Sequence, residues 1–267
     1  MATSSPRVAK AFLRYASPFS KLRTIPVFGG LLRKTSRALV ALDTLVWVQI
    51  EQGPGAGLWV CVNARTGRHV LRGEAEPRVQ EALMEHLQPG MTFYDLGANI
   101  GFFSLLAGRF VGPTGHLCVF EPDPVMFERL RLNLARNGIQ AIAERKAVWS
   151  QTTEVPFACA DVTISCDRGL GHVATDCDLT ESVIRVEGIS LDDFCNSHQT
   201  PDFIKCDVEG AEYEVFRGAS EVLRRAHPTI VCEMHSTENH FALTRYFLDL
   251  GYRCSLLGEN HVLAVFN

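Results

Sequence analysis

The sequence of 267 residues lacks several features that would decide its class at once. It has no run of about 18 apolar residues, so no segment is predicted to cross a membrane as a helix. Its nine cysteines form no CxxC pair and their number is odd, which predicts no structural zinc, a reducing compartment and a cytoplasmic location. A surface pair such as Cys159 with Cys166 stays open.

The chain also lacks the excess of positive charge that nucleic-acid binding needs. It has 26 Lys and Arg against 30 Asp and Glu, a formal net charge of −4. Because phosphate contacts require a basic surface, we predict no nucleic-acid partner.

Residues 1–42 have no acidic side chain. A basic start with serines resembles a targeting segment or a membrane-surface helix. The alternative is a small helical cap with its charges in water, which the prolines and the Gly29–Gly30 pair favour. Weak contact with a membrane surface therefore stays open. The basic residues are Arg7, Lys10, Arg14, Lys21, Arg23, Arg33, Lys34 and Arg37.

The organisation of the chain changes near residue 75. Before it we predict two short helices within 1–42 and a hairpin of strands 44–50 and 58–62, an N-terminal extension of residues 1–75. Residues 76–267 are predicted to form the main domain, which begins with a helix over 76–87.

Strands and helices alternate from Thr92 onward, which predicts a parallel sheet with helices on both faces. The short Gly258–Glu259–Asn260 connection predicts one reversed strand at the end. Residues 157–182 are predicted to be an irregular, functional loop. The predicted strands are 92–96, 116–120, 142–148, 202–206, 228–233, 251–256 and 261–266, and the helices are 101–109, 123–137, 209–224 and 238–250.

A glycine turn follows the first of these strands. The run from Phe93 to Phe103 reads as a short strand, the turn Gly97-Ala98-Asn99-Ile100-Gly101 and a helix start, and Glu121 follows 20 residues after Gly101. Such a carboxylate can accept hydrogen bonds from ribose hydroxyls. The turn lacks the middle glycine of GxGxxG, and Asp95 precedes it. Since a carboxylate repels phosphates but can bind an ammonium, the pattern predicts S-adenosyl-L-methionine rather than a dinucleotide; a purely structural connection is the alternative.

Two further strand ends carry polar side chains. Asp207 follows the strand 202–206, and Glu209 is predicted in the first helical turn, where the helix dipole also suits a carboxylate. Glu233 and His235 end the next strand and point to one side, because strand side chains alternate. His235 could accept a proton from a hydroxyl; a surface histidine is the plain alternative. Asp207, Glu233 and His235 have the ligand types for a divalent metal, so assistance by a metal stays open as an alternative, although we predict no metal.

The residues quoted above resemble the FkbM family of S-adenosylmethionine-dependent methyltransferases. The resemblance covers about residues 70–255 and is most specific in Asp207-Val208-Glu209-Gly210-Ala211-Glu212. It implies a class I methyltransferase Rossmann-like sheet, α/β, mostly parallel with one antiparallel strand. It also implies O-methylation of a hydroxyl on a small molecule, sugar, glycan or secondary metabolite.

The resemblance assigns residues by position. Asp207 would lie near the methyl group with Glu209 beside it, and Glu209 or His235 would be the base. Trp149 departs from the family's small residue, which leaves the adenine contact open. The residues predicted to bind the cofactor are Asp95, Gly97, Ala98, Asn99, Gly101, Phe102, Glu121, Pro122, Val148 and Asp207.

Other function classes stay open at this point. A nucleic-acid or protein methyltransferase is one, although the Asp/Asn-Pro-Pro-aromatic block of amino-group methylation is absent because no Pro-Pro pair occurs. A nucleoside-binding regulatory module without catalysis is another, and an NAD dehydrogenase a third. The sequence does not predict an oligomeric state.

Overall fold

The computed structural model describes residues 6–15, 40–41, 43–159, 171–174 and 182–267. The chain splits into two compact units, and the described residues up to 75 belong to one and those from 76 onward to the other. In the described ranges, no helix is both long enough and apolar enough to cross a membrane. The seven cysteines of these ranges are free, and Cys166 and Cys177 lie outside them.

The first unit holds a helix, a hairpin and a short helix. They are α1 (Pro6–Tyr15), the antiparallel pair β1 (Leu45–Gln49) and β2 (Trp59–Asn63), and α2 (Arg68–Arg72). Helix α1 buries Ala9 and Leu13. Its Arg14 pairs with Glu51 at 3.0 Å, an arrangement suited to a helical cap. The second helix predicted within residues 1–42 falls mostly outside the described residues.

The second unit alternates helices and strands from residue 77 to the end. Its helices are α3 (Pro77–His86), α4 (Phe102–Val111), α5 (Pro124–Arg136), α6 (Leu191–Phe194), α7 (Glu212–Arg217), α8 (Ser220–Ala226) and α9 (Thr237–Asp249). Its strands are β3 (Thr92–Leu96), β4 (His116–Phe120), β5 (Ile142–Glu144), β6 (Ala147–Val148), β7 (Thr153–Cys159), β8 (His172–Val173), β9 (Ser182–Ile189), β10 (Phe203–Cys206), β11 (Thr229–Glu233), β12 (Tyr252–Leu257) and β13 (His261–Phe266).

Seven strands form the main sheet, in the order β12-β13-β11-β10-β3-β4-β5. The pairs among β11, β10, β3, β4 and β5 are parallel, whereas β13 is antiparallel to both of its neighbours. The predicted α/β sheet with one reversed strand is therefore confirmed. The carboxyl ends of β3, β4, β10 and β11 share one edge, which is where ligands bind in open parallel sheets.

The structure corrects the segments around this sheet in three places. The strand predicted over 142–148 is two strands, and β6 belongs to a second sheet of order β6-β9-β7-β8. That sheet includes residues 153–159 and 172–173, so residues 157–159 and 172–173 are strand where an irregular loop over 157–182 was predicted. The helix predicted over 209–224 is two helices, α7 and α8, with a break at Gly218, whose Cβ would lie 2.3 Å from the carbonyl oxygen of Trp149.

Apolar packing under the main sheet is continuous from β4 to β13. Tyr94, Phe120, Phe216 and Phe247 are fully buried in it. A smaller cluster lies under the second sheet and includes Val155 and Phe157. The main cluster packs the strands against the helices, which sets where the residues at the carboxyl ends of the strands lie.

Candidate active site

The glycine turn after β3 is shaped by the neighbouring strand. Gly97 has φ +76°, and a Cβ there would lie 1.8 Å from the carbonyl oxygen of Asp207. Gly101 has φ +83°, and its Cβ would lie 2.4 Å from Cδ1 of Leu130. Both positions require glycine because of backbone conformation and close packing within the protein. The glycines therefore bring β10 and α5 against the turn.

The backbone N–H groups of the turn are all used inside the protein. Those of residues 97 and 98 donate to the carbonyl of Phe120, and that of Gly101 donates to Ala98. Asn99 donates its N–H to Glu121 at 2.7 Å, and the Ile100 N–H is accepted by the Asn99 side chain at 2.7 Å. A dinucleotide turn offers such groups to a pyrophosphate. Residues 97–101 offer none, which favours a cofactor without phosphates.

Glu121 ties the turn to the end of β4. Its two carboxylate oxygens accept the N–H groups of Asn99 and of Asp123, at 2.7 Å and 2.8 Å. The residue is 6% exposed. Burial raises the pKa of this carboxyl to about 8, although the two N–H groups oppose the shift. Each oxygen keeps a free lone pair, so a ribose hydroxyl can still bind.

Asp95 lies on β3 below the turn and is fully buried. Its Oδ2 accepts a hydrogen bond of 2.5 Å from the Ser104 hydroxyl, and its Oδ1 has no hydrogen-bond partner. Burial raises the pKa of Asp95, and the nearby Lys205 ammonium opposes the shift. The predicted role, binding of the cofactor ammonium, requires access to a side chain that is 1% exposed.

Lys205 is a buried ammonium that the sequence interpretation missed. It lies on β10 opposite Asp95, and its Nζ is 3.1 Å from Asp207 Oδ2 and 3.9 Å from Asp95 Oδ1. Burial lowers its pKa, but the two carboxylates more than offset this, so the pKa is raised and the ammonium persists. The sequence feature that could have identified Lys205 is a lysine inside the apolar strand Phe203–Cys206, because a buried charge must be paired.

Asp207 and Glu209 follow β10, as predicted, but Glu209 is not helical. It has φ +54° in a turn with Gly210, whose φ is +106°, and α7 begins only at Glu212. The helix-dipole explanation for Glu209 is therefore wrong. Asp207 Oδ1 is buried without a hydrogen-bond partner, so this carboxylate has an unused acceptor position.

His235 lies among four carboxylates. Its Nδ1 donates to Glu212 at 2.7 Å, and its Nε2 is 3.2 Å from Glu209, 3.7 Å from Asp207 and 3.8 Å from Glu233. Burial lowers the pKa of the ring, but hydrogen bonds to Glu209 and Glu212 outweigh it and raise the pKa to about 11. The ring is therefore an imidazolium at neutral pH when no ligand is bound.

Glu212 is the second residue that sequence reasoning missed. It begins α7, is fully buried and accepts hydrogen bonds from the Gly210 N–H at 2.8 Å and the Asn239 amide at 2.7 Å, besides that from His235. It therefore fixes the orientation of His235. Its place in the Asp-Val-Glu-Gly-Ala-Glu block was visible, but only the fold brings it to the strand β11.

A second carboxylate–histidine group adjoins the first through Glu233. His261 Nε2 is 3.1 Å from Glu76 and 3.5 Å from Glu233. Burial and the charge of Asp207 raise the pKa of Glu233, while His261 lowers it. Two sets have ligand atoms within 4.8 Å of one another: Glu76, Glu233 and His261, and Asp207, Glu233 and His235. Both could hold a divalent cation by distance, so the predicted absence of a metal stays a prediction.

The other predicted cofactor residues surround the turn. Ala98 and Phe102 are buried in it, and Pro122 follows Glu121. Val148 is buried in the main core, and Trp149 packs on the apolar cluster of the second sheet. The structure thus brings Asp207, Glu209, Glu233 and His235 together beside the glycine turn.

S-adenosyl-L-methionine fits the chemistry of these residues. It carries a sulfonium and an ammonium but no phosphate, and the site offers carboxylates and a turn without free N–H groups. The unpartnered Oδ1 of Asp207 is a ready acceptor, and Glu121 lies where a ribose can be held.

Comparison with known proteins gives a family. The Methyltransferase FkbM domain matches residues 95–254. The chain is 29% identical over 168 residues to the hexuronic acid methyltransferase AglP of Haloferax volcanii, covering 62% of this chain and 64% of AglP. It is 28% identical over 211 residues to the 31-O-demethyl-FK506 methyltransferase FkbM of Streptomyces tacrolimicus, covering 66% of this chain and 80% of that protein.

A solved structure shows the same fold. The methyltransferase FkbM from Methylobacillus flagellatus superposes with a TM-score of 0.50 at 19% identity, covering 76% of this chain and 54% of that one. The chain thus spans less than two thirds of AglP and about half of the M. flagellatus protein. It belongs to the FkbM family of methyltransferases, with the class I fold and S-adenosyl-L-methionine as its cofactor.

Proposed function

We propose that the chain is an O-methyltransferase that methylates a hydroxyl on a small molecule, a sugar or glycan, or a secondary metabolite. The observation that carries this proposal is the group of Asp207, Glu209 and His235 beside the glycine turn of the cofactor. Carboxylates next to a cationic methyl donor can orient a hydroxyl and take its proton.

The relatives support the acceptor class only broadly. One is named for a hexuronic acid and the other for a demethylated FK506. These acceptors are chemically different, so the family permits several acceptors on one scaffold. From these relatives we propose only that the acceptor group is a hydroxyl, and the panel of acceptors below identifies the compound.

The proposed roles follow from the contacts. When bound, the cofactor supplies an electrophilic methyl group. Asp207 accepts a hydrogen bond from the acceptor hydroxyl or from the donor through its free Oδ1. Glu209 takes the hydroxyl proton, and the His235 imidazolium holds both carboxylates in place. Alignment can supply about 7–11 kcal/mol and a positioned base about 10²–10⁴-fold.

We propose residues 76–267 as the methyltransferase domain and residues 1–75 as an extension. Within the domain, Glu121 is proposed to bind the ribose and Asp207 to face the reacting end of the donor. Of the other residues predicted to bind the cofactor, Asp95 has a side chain that is 1% exposed and is proposed to support the site from β3. Those proposed to bind the cofactor directly are Gly97, Ala98, Asn99, Gly101, Phe102, Pro122 and Val148. We propose that the protein works in the cytoplasm, without nucleic acid.

The competing function is a binding module that holds the cofactor without transferring its methyl group. Such a module has no need of a carboxylate at the position of Glu209, which contacts His235 rather than the glycine turn. This difference makes Glu209 the residue to change.

The test compares Glu209→Gln with Glu221→Gln, which removes an exposed carboxylate on α8. We expect both to bind S-adenosylhomocysteine within about threefold of the unchanged protein, measured by the ligand-induced shift of Tm. Methyl transfer to a panel of sugars, glycans and polyketides should fall by about 10²-fold only in Glu209→Gln.

Three results would contradict the proposal. One is that the wild-type protein has no affinity for S-adenosylhomocysteine. Another is transfer to RNA or protein but to no hydroxylated small molecule. The third is a Glu209→Gln variant with full methyl-transfer activity.

A further inference from the structure

Lys205 is a charged residue in the centre of the main sheet. It is 3% exposed, and its strand β10 lies between β3 and β11. An ammonium in such a place costs free energy unless it is paired. The groups that pair with Lys205 therefore indicate its role in the structure.

The partners of Lys205 connect two parts of the site. Its Nζ is 3.1 Å from Asp207 Oδ2, at the reacting end, and 3.9 Å from Asp95 Oδ1, on the neighbouring strand. It also lies 5.2 Å from the ring centroid of Phe103, a cation–π distance. Register explains the arrangement, because Asp95 is opposite Lys205 and residues two apart on a strand share a face.

The far end of this connection is fixed. Asp95 is held by the Ser104 hydroxyl of α4 at 2.5 Å, and both residues are fully buried. Burial and this hydrogen bond restrain the Asp95 carboxylate. Lys205 contacts Asp95 and the ring of Phe103, so its ammonium is restrained. The ammonium in turn restrains the carboxylate of Asp207.

The near end of the connection adjoins the proposed catalytic group. Lys205 holds Oδ2 of Asp207, while Oδ1 has no hydrogen-bond partner and lies 3.7 Å from His235 Nε2. One oxygen is therefore held, and the other keeps an unused acceptor position beside His235. A carboxylate free to rotate would present neither oxygen reliably.

We propose that Lys205 is a positioning residue that orients Asp207 for methyl transfer, with Asp95 as its anchor. The inference rests on the proposed function for the role of Asp207 in the reaction. In this arrangement Asp95 acts through Lys205 and need not reach the cofactor ammonium, from which its burial separates it.

A double-mutant cycle tests whether Lys205 acts through Asp207. Lys205→Met and Asp207→Asn should each lower kcat by about 10²-fold, and the double variant should lose no more than about threefold beyond either one. Losses that multiply, to about 10⁴-fold, would overturn the proposal. Arg131→Met, which breaks the exposed pair of Arg131 with Glu128 on α5, is the control and should keep full activity.

Conservative replacement separates positioning from a structural role. Lys205→Arg keeps the cation and should retain at least about a tenth of kcat, with the KM for the acceptor within about threefold. If Lys205→Met does not fold, the variant Asp95→Asn/Lys205→Met replaces it in the cycle. This variant removes the Asp95 charge together with the lysine, so no unpaired buried carboxylate is left at Asp95. The same limits on kcat then decide the outcome.

A second measurement needs no acceptor. Crystals of Lys205→Met, or of its Asp95→Asn pair, with S-adenosylhomocysteine should show the Asp207 carboxylate rotated away from its contact with His235. A carboxylate in the same orientation as in the wild-type protein would overturn the inference.

The affinity for S-adenosylhomocysteine tests the role of Asp95. Asp95→Asn alone should keep this affinity within about threefold. If Asp95→Asn lowers the affinity more than about tenfold and Lys205→Met does not lower it, Asp95 binds the cofactor instead.

The two proposals fail differently. If the unchanged protein methylates another nucleophile, the O-methyl assignment falls, but the cycle can be measured with that acceptor. If it methylates hydroxyls and the losses multiply, only the role of Lys205 falls.

Discussion

Replacing Gly97 with alanine tests how the cofactor turn is built. Gly97 has φ +76°, and its added Cβ would lie 1.8 Å from the carbonyl oxygen of Asp207. Gly138, with φ +67° and no atom within 4 Å of its added Cβ, is a matched control. Since both alanines meet the same backbone strain, the difference between the variants measures the contact with Asp207.

The magnitude follows from these two contributions. The left-handed conformation costs an alanine about 1–2 kcal/mol at either position. At Gly97 the carbonyl must also move from 1.8 Å to at least 3.0 Å. That displacement strains the hydrogen bond of 3.0 Å from the Asp207 N–H to Leu96. Overpacking adds about 1–3 kcal/mol. We expect Gly97→Ala to lose about 2–5 kcal/mol of unfolding free energy and Gly138→Ala about 1–2 kcal/mol.

Urea denaturation of both variants gives the difference, and calorimetry with S-adenosylhomocysteine gives the functional consequence. We expect Gly97→Ala to lose at least about tenfold in affinity, because Asp207 moves with its carbonyl, and Gly138→Ala to bind normally. Equal losses of stability in the two variants, or normal binding by Gly97→Ala, would refute the reasoning.

Three further predictions concern the titrating groups. The pKa of His235 is raised to about 11 from 6.5, so its stabilising contribution is full below pH 6.5 and lost toward pH 11; the difference in urea midpoint between the unchanged protein and His235→Gln should shrink over that range. The pKa of Glu121 is raised to about 8 from 4.5, so stability should fall from pH 4.5 to 8 in the unchanged protein but less in Glu121→Gln. Dialysis against a chelator should leave methyl transfer unchanged, because the roles proposed for Asp207, Glu209 and His235 need no metal; loss restored by Mg²⁺ or Mn²⁺ would show that a metal assists.

The sequence predicts the fold well where local pattern and connection length agree. Strands β3 (Thr92–Leu96), β4 (His116–Phe120) and β13 (His261–Phe266) have the predicted bounds. The three-residue connection before β13 is too short for a crossover, so its reversed direction follows. Residues 142–148 are different, because a short strand-like segment does not tell which sheet each part joins. A bend at Lys146 divides the segment between β5 and β6.

The site is predicted in part for the same reason. The ends of predicted strands identify Asp207, Glu233 and His235, since strand ends and side-chain alternation are visible in the local sequence. Lys205 and Glu212 gain their roles only from partners far away in the chain, Asp95 for the first and His235 for the second. Burial of a charge is decided by tertiary packing, and the sequence shows only that a lysine interrupts an apolar strand.

The charge of the site also leads to a prediction about the acceptor. Asp207, Glu209, Glu212 and Glu233 surround His235, and Lys205 lies behind Asp207. Four carboxylates and two cations leave two net negative charges in this group. The sulfonium cofactor, with one net positive charge, neutralises only half of them.

An anionic acceptor therefore meets repulsion. A carboxylate about 7 Å from one uncompensated charge costs about 2 kcal/mol at an effective dielectric constant of about 20, or about 30-fold in kcat/KM. We expect neutral hexoses and polyols to exceed the matching hexuronic acids by about that factor at low salt. Glu233→Gln should narrow the gap, and so should added salt, which screens charges beyond about 8 Å. Equal or better turnover of a hexuronic acid, the acceptor class for which AglP is named, would mean that a cation outside this group binds the acceptor.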